Sequence, residues 1–285
     1  MNPVIGGQAV MEGVMMKSPS HYSISVRAPN NEIKSKVEQL KSSRFKPFKW
    51  PIIRGFVQLV DMLFLGLKSL QWSANQQEET PEEEMTWKEY TFLLITSVGF
   101  AILLFIVVPL VLTNFITKSA GILFNLIDGV IRILIFIIYL TIISRMDDIK
   151  TLFQYHGAEH KVVNCYEANM ELTIANAKTF TTSHPRCGTS FIMIVLVLSI
   201  ILFSLIQSPS WLIKFLTRVI FIPIIAGISY EILHYSAKNK TNKILNFLIA
   251  PGLLLQKLTT REPNDNQLEI ALSALSIVLS KTKRN

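Results

Sequence analysis

The chain alternates between long uncharged runs and short polar stretches, and the lengths of those runs predict most of its elements. Residues 90–117 contain no charged side chain, and their middle reads FLLITSVGFAILLFIVVPLVL. A helix needs roughly 20 apolar residues to cross a bilayer core, so this run predicts a span. Pro109 falls near its far end, where a kink is tolerated. A second uncharged run covers 187–213, around FIMIVLVLSIILFSLI. Residues 122–144 predict a third span that carries Asp128 and Arg132, four apart on one helical face and able to pair near the far interface. Residues 212–235 predict a fourth, with Lys214 and Arg218 close enough to one end to reach the headgroups.

The polar stretches carry different periods. HYSISVRAPNNEI (residues 21–33) alternates with period two and ends on a turn signal, which predicts a short hairpin. GGQAVMEGV before it has glycines at both ends and suggests a tight turn. Residues 52–74 are apolar at helical spacing but carry Arg54, Asp61 and Lys68, a pattern suited to a helix lying in the membrane interface, with a buried or re-entrant helix as the alternative. EETPEEE reads as an acidic linker. Residues 244–258 are broken by Pro251–Gly252 and predict a second interfacial or re-entrant element. The C-terminal stretch predicts an amphipathic helix with Asp265 as its N-cap.

The predicted architecture is a mainly α, polytopic membrane protein with about four transmembrane helices, interfacial helices and a small N-terminal β element. Its expected units are a cytoplasmic N-terminal segment (1–50), an interfacial helix with acidic linker (51–88), a first transmembrane pair (89–144), a cytoplasmic loop (145–189), a second pair (190–235) and a cytoplasmic C-terminal segment (236–285).

Composition supports this division. Of 285 residues half are apolar and 17% are charged, against about 25% in soluble domains. Disorder is excluded by the apolar content, and a disulfide scaffold by the presence of two cysteines. Lysine and arginine are concentrated in residues 1–88 (eleven), 145–189 (five) and beyond 235 (eight). That bias predicts a multi-pass protein of the plasma (inner) membrane with both termini cytoplasmic. The net charge of +8 then faces anionic inner-leaflet lipid rather than a specific nucleic-acid sequence. Residues 1–13 lack the features of a cleavable signal, so the first span is expected to direct insertion.

Candidate chemistry gathers on one predicted face of the membrane. In DDIKTLFQYHGAEHKVVNCYE, capped by Asp147 or Asp148, the residues His156, Glu159 and His160 stand at i, i+3 and i+4 on one helical face. This H-x-x-E-H order suits two imidazoles binding a metal while the carboxylate activates water. SHPRCGTSF brings His184, Arg186 and Cys187 to the mouth of a span, with Arg186 and the helix N-terminus suited to an anion. YEILHY adds Glu231 and His234. The expected metal ligands are His156, His160 and Glu231, the expected ion is divalent, with zinc foremost, and Glu159 is the expected general base. His184, Cys187, His234, Glu12 and Arg186 are further pocket candidates. Each histidine has a plainer reading, as a hydrogen-bonded residue at a helix end.

The segments IGGQAVMEGVMMKSP (5–19), YHGAEHKVVNCYE (155–167), HPRCGTSF (184–191) and PGLLLQKLTTREPNDNQLEIAL (251–272) are similar to those of the YqhQ-like family of bacterial membrane proteins. The family is one of unknown function, described as predicted metal-dependent enzymes, and the resemblance covers essentially the whole chain. It implies that Glu12 matters, and Gln8 and Glu12 could supply polar groups to the same cytoplasmic pocket.

Two functional classes follow. One is a metal-dependent hydrolase at the cytoplasmic interface acting on a membrane-linked substrate. The other is a non-enzymatic membrane factor for biogenesis, scaffolding or transport, in contact with ribosome or translocon, in which the His/Glu/Cys cluster is structural.

Overall fold

The computed structural model describes residues 3–40, 50–78, 86–118, 121–206, 208, 210–238 and 242–282. The acidic linker lies almost entirely outside them. The chain opens with a four-stranded antiparallel meander, β1 (Gly6–Val10), β2 (Gly13–Lys17), β3 (His21–Arg27) and β4 (Ile33–Gln39). The β1–β2 connection is the pair Met11–Glu12, with Glu12 in the left-handed region at φ 48°.

Of the hairpin expected at residues 21–33, β3 and the turn fall in that stretch and β4 continues beyond it from Ile33, and the alternation has a different meaning from a wet face and a dry one. Val10, Met15, Ile24 and Val26 pack on α1 (Ile53–Asn75) through Met62, Leu65 and Trp72. The opposite face carries Val14 and Met16 and the small hydroxyls Ser23 and Ser25. That face is covered by α10 (Asp265–Thr282), and Ser23 Oγ donates to the Ala274 carbonyl at 2.6 Å. Serine keeps its polar atom satisfied while letting the helix approach closely, so a polar position here is still an interior one.

The apolar runs become α2 (Trp87–Ile102), a π segment (Leu103–Val107) and α3 (Val108–Ile116), which form one continuous helix, followed by α4 (Ile122–Ile143). α2 opens with a reciprocal Thr86–Glu89 capping box. Pro109 does not break the run. The widened π turn immediately before it accommodates the missing N–H and the ring. α5 (Asp147–Glu167) and the short α6 (Ile174–Lys178) precede α7 (Gly188–Ser204), α8 (Trp211–Lys238) and α9 (Lys243–Thr259).

Among the described residues three helices are long and apolar enough to cross a membrane: Trp87–Ile116, Ile122–Ile143 and Trp211–Ser236. α7 is apolar but shorter, at 17 residues.

Several local expectations change. Lys214 and Arg218 do not extend toward one end of their helix. They are 5% and 2% exposed, and Arg218 turns inward to Asp128, which also pairs with Arg132 at 2.6 Å. An arginine that finds a buried carboxylate and amide gains more there than by reaching along the helix to the end. The break expected at Pro251–Gly252 is absent: α9 runs through it, and Gly252 lets α9 press on α7, where an added Cβ would lie 2.4 Å from Ser190 Cα. α5 begins at Asp147 after Met146, which provides no side-chain cap, and Asp147 pairs with Lys150 instead. The cap of α10 is Asn264, whose side chain and that of Gln267 bond each other's backbone N–H, while Asp265 pairs with Lys178.

Candidate metal centre

α5 supplies two imidazoles from adjacent turns, and the structure fixes which nitrogen each presents. His156 Nδ1 lies 2.8 Å from the Thr259 carbonyl at the end of α9, and His160 Nδ1 lies 2.6 Å from the Thr182 carbonyl. A carbonyl can only accept, so each Nδ1 carries a proton, and the Nε2 atom is the one that can offer a lone pair to a metal. His156 Nε2 lies 3.2 Å from Cys187 Sγ, and the His156 and His160 ring centroids are 4.4 Å apart. The three ligand atoms of His156, His160 and Cys187 all fall within 4.8 Å of one another, a grouping that could hold a metal ion. Zinc bonds of about 2.0–2.1 Å to nitrogen and 2.3 Å to sulfur place N and S roughly 3.5 Å apart around a tetrahedral ion. The observed separation is close to that, and Nδ1–H bonds to backbone carbonyls are the outer contacts that orient metal-binding histidines.

Glu159 is buried beside them, with Oε2 3.4 Å from His160 Nε2. Strand β1 closes over it: a Cβ on Gly7 would stand 2.9 Å from Glu159 Cγ. Two imidazoles and a sulfur thus converge, with a carboxylate against one of the imidazoles.

Cys187 is the N-cap of α7, with Sγ 3.5 Å from the Thr189 N–H and 3.2 Å from its hydroxyl. The loop before it is clamped by Gln256 of α9, which is fully buried. Its Oε1 accepts from the His184 N–H at 2.8 Å, and its Nε2 donates to the His184 carbonyl and to Ser190 Oγ, both at 2.9 Å. Gly157 allows the segment after α9 to lie on α5, since a Cβ there would be 2.0 Å from the Arg261 carbonyl. Cys165, farther along α5, is buried with its thiol pushed up by desolvation, and it points at the Glu171 carbonyl.

The other candidates separate into neighbours and outsiders. His184 is buried next to His160, with ring centroids 5.8 Å apart. Its Nδ1 accepts from the Arg186 N–H at 3.3 Å, and its Nε2 lies 3.5 Å from Glu167. Arg186 is held by the Glu167 carboxylate and the Ile5 carbonyl. Glu12 accepts from the buried Tyr155 hydroxyl at 3.2 Å, and burial and then the Glu12 charge push that phenol above its ordinary range. Gln8 does not line the centre but lies against Gly66 of α1.

Glu231, expected among the ligands, is elsewhere: its carboxylate receives both Nε and Nη2 of Arg54, at 2.7 and 2.5 Å. Cys187 stands in the grouping where Glu231 was expected, because α8 meets α1 rather than α5. His234 belongs to the same α8 surface, stacked on Tyr230. The clamp and anchors that sequence reasoning missed are Gln256 and the carbonyls of Thr182 and Thr259. A polar glutamine in the apolar stretch 244–258 was the one available signal.

A family model described as a protein of unknown function, DUF1385, matches residues 50–281, which includes every helix of the centre. The chain belongs to the DUF1385 family. It is also 32% identical, over 299 aligned residues, to the uncharacterized protein YqhQ of Bacillus subtilis (strain 168), with 97% of this chain and 92% of that protein covered. This DUF1385 member matches no solved structure.

Proposed function

We propose that the chain is an integral membrane protein in which His156, His160 and Cys187 hold a divalent metal, zinc by its ligand chemistry, in a hydrolase-like site at the cytoplasmic membrane interface. The observation that carries this reading is the pair of Nδ1–carbonyl bonds, which leave two Nε2 lone pairs and a sulfur facing one point. The α2–α3 helix, α4, α7 and α8 are the four proposed spans, and the lysine and arginine bias puts both termini and α5 in the cytoplasm. A zinc ion so held supplies Lewis-acid polarisation and activation of water. Glu159, buried beside His160, would take the proton, and His184 would offer a buried imidazole beside the substrate. Lipid surrounds the exposed apolar faces, and a membrane-linked substrate would reach the site along them.

Elemental analysis of the purified full chain tests the reading. About one equivalent of metal is expected in the wild type and in Glu159→Gln, and little in His160→Ala or Cys187→Ser, whose affinity should fall more than the roughly 10–100-fold typical of losing an outer partner. The absence of stoichiometric zinc, iron or manganese would sink it. If the site is hydrolytic, Glu159→Gln also fails to complement a deletion strain; full complementation would make the metal structural.

A further inference from the structure

A second polar cluster lies in the interface of α4, α7 and α8, some 12–16 residues along α7 from Cys187, or roughly 18–24 Å at the helical rise. It shares no residue with the histidine centre. Three cations, Arg132, Lys214 and Arg218, gather there around the single carboxylate of Asp128, and all four are at most 5% exposed. Arg132 donates to Asp128 and to Ser199 Oγ (2.9 Å), and Arg218 donates to Asn125 Oδ1 (3.0 Å) and to Asp128 (3.2 Å). Phe203 lies beneath both guanidinium groups, at 5.4 and 5.0 Å.

This pairing is incomplete. Uncompensated charge buried among apolar helices is costly, and among the described residues two of these positive charges have no counterpart. The unmet atoms show what is lacking. Among the described residues Arg132 Nε and Arg218 Nε are buried donors without an acceptor, and Asp128 Oδ1 is a buried acceptor without a donor. Lys214 Nζ rests 3.4 Å over the Phe124 ring and makes no hydrogen bond among the described residues.

We propose that the cluster binds a phosphate group, as a phosphomonoester or the free ion. Its charge of about −1.5 to −2 matches the excess, where a phosphodiester supplies half as much. Its unprotonated oxygens accept from guanidinium and ammonium groups, and the P–OH that inorganic phosphate keeps as a dianion would also donate to Asp128 Oδ1. Lys214 lies one turn inside Trp211, an aromatic residue of the kind that marks the headgroup level, so a lipid phosphate and a free one are both tested.

The test uses the full chain in neutral detergent and in phosphatidylcholine vesicles. Inorganic phosphate should raise the unfolding temperature above that in chloride of equal ionic strength. In the lipid arm, phosphatidic acid should be retained at least fivefold more tightly than phosphatidylglycerol. A response confined to one arm identifies that source. Lys214→Gln, which loses no hydrogen bond, should weaken the response at least fivefold. Equal responses to chloride and phosphate together with no preference for the monoester lipid, or an unchanged response in Lys214→Gln, would overturn the proposal. The wild-type comparison of monoester and diester stands even if that variant does not fold, and neither arm depends on the metal content.

Discussion

The two polar clusters are opposites in their hydrogen-bond inventory. Around His156 and His160 the donors are spent on backbone carbonyls, and what converges is a surplus of lone pairs. Around Asp128 one carboxylate oxygen serves both arginines, and among the described residues N–H groups and positive charge outnumber the acceptors. Both are buried in an apolar helical protein, where an unmet polar group costs far more than at a wet surface. The difference teaches that the sign of a fitting partner can be read from the inventory: the first cluster suits a cation and the second an anion. The centre at α5 is also held by carbonyls and a glutamine clamp, whereas the cluster at α4 is held by its own ion pairs.

The sharpest way to break that contrast is Asp128→Asn. It removes the one carboxylate shared by Arg132 and Arg218, and breaking a buried pair costs about 3–5 kcal/mol. A large drop in unfolding temperature in detergent is expected, partly recovered by phosphate. A neutral result would mean that the cations are not buried against Asp128.

A smaller effect is expected at the other end from Gly157→Ala. The added Cβ would collide with the Arg261 carbonyl, and overpacking of this kind costs about 1–3 kcal/mol. Because Thr259 lies on the same displaced segment, metal affinity should fall along with stability. Loss of stability with metal affinity intact would show that the carbonyl anchor does not matter.

The smallest expected effect is also the most discriminating between α8 and the centre. Glu231→Gln should leave metal stoichiometry unchanged, because that carboxylate serves Arg54. Metal loss in this variant would restore Glu231 to the ligand set.

Much of this organisation was legible in the chain. The i, i+3, i+4 spacing of His156, Glu159 and His160 follows from helical geometry alone, and the apolar runs foretold the long helices. Period two and the Pro-Asn-Asn signal located β3 and the turn after it but not β4, which runs beyond that stretch, and could not reveal that Ser23 and Ser25 face a helix rather than water. The pairing of Arg54 with Glu231 joins residues 177 positions apart, and two charges give no sign of such a partner. The anchors at Thr182 and Thr259 are main-chain oxygens, which every residue type carries. The capping exchange between Asp265 and Asn264 turned on one residue, because Gln267 reciprocates with Asn264.

By itself the sequence determined the apolar segments, the helical face bearing His156, Glu159 and His160, and the family. These depend on local period and composition, which a linear chain expresses directly. The tertiary structure decided that Cys187 joins the two histidines, that Glu231 does not, and that Arg218 turns inward to Asp128. The physical reason is that ligand sets and ion pairs depend on which helices touch. That is set by close approaches such as Gly252 on Ser190 and Gly157 on Arg261, which have no signature in the spacing of the residues they bring together.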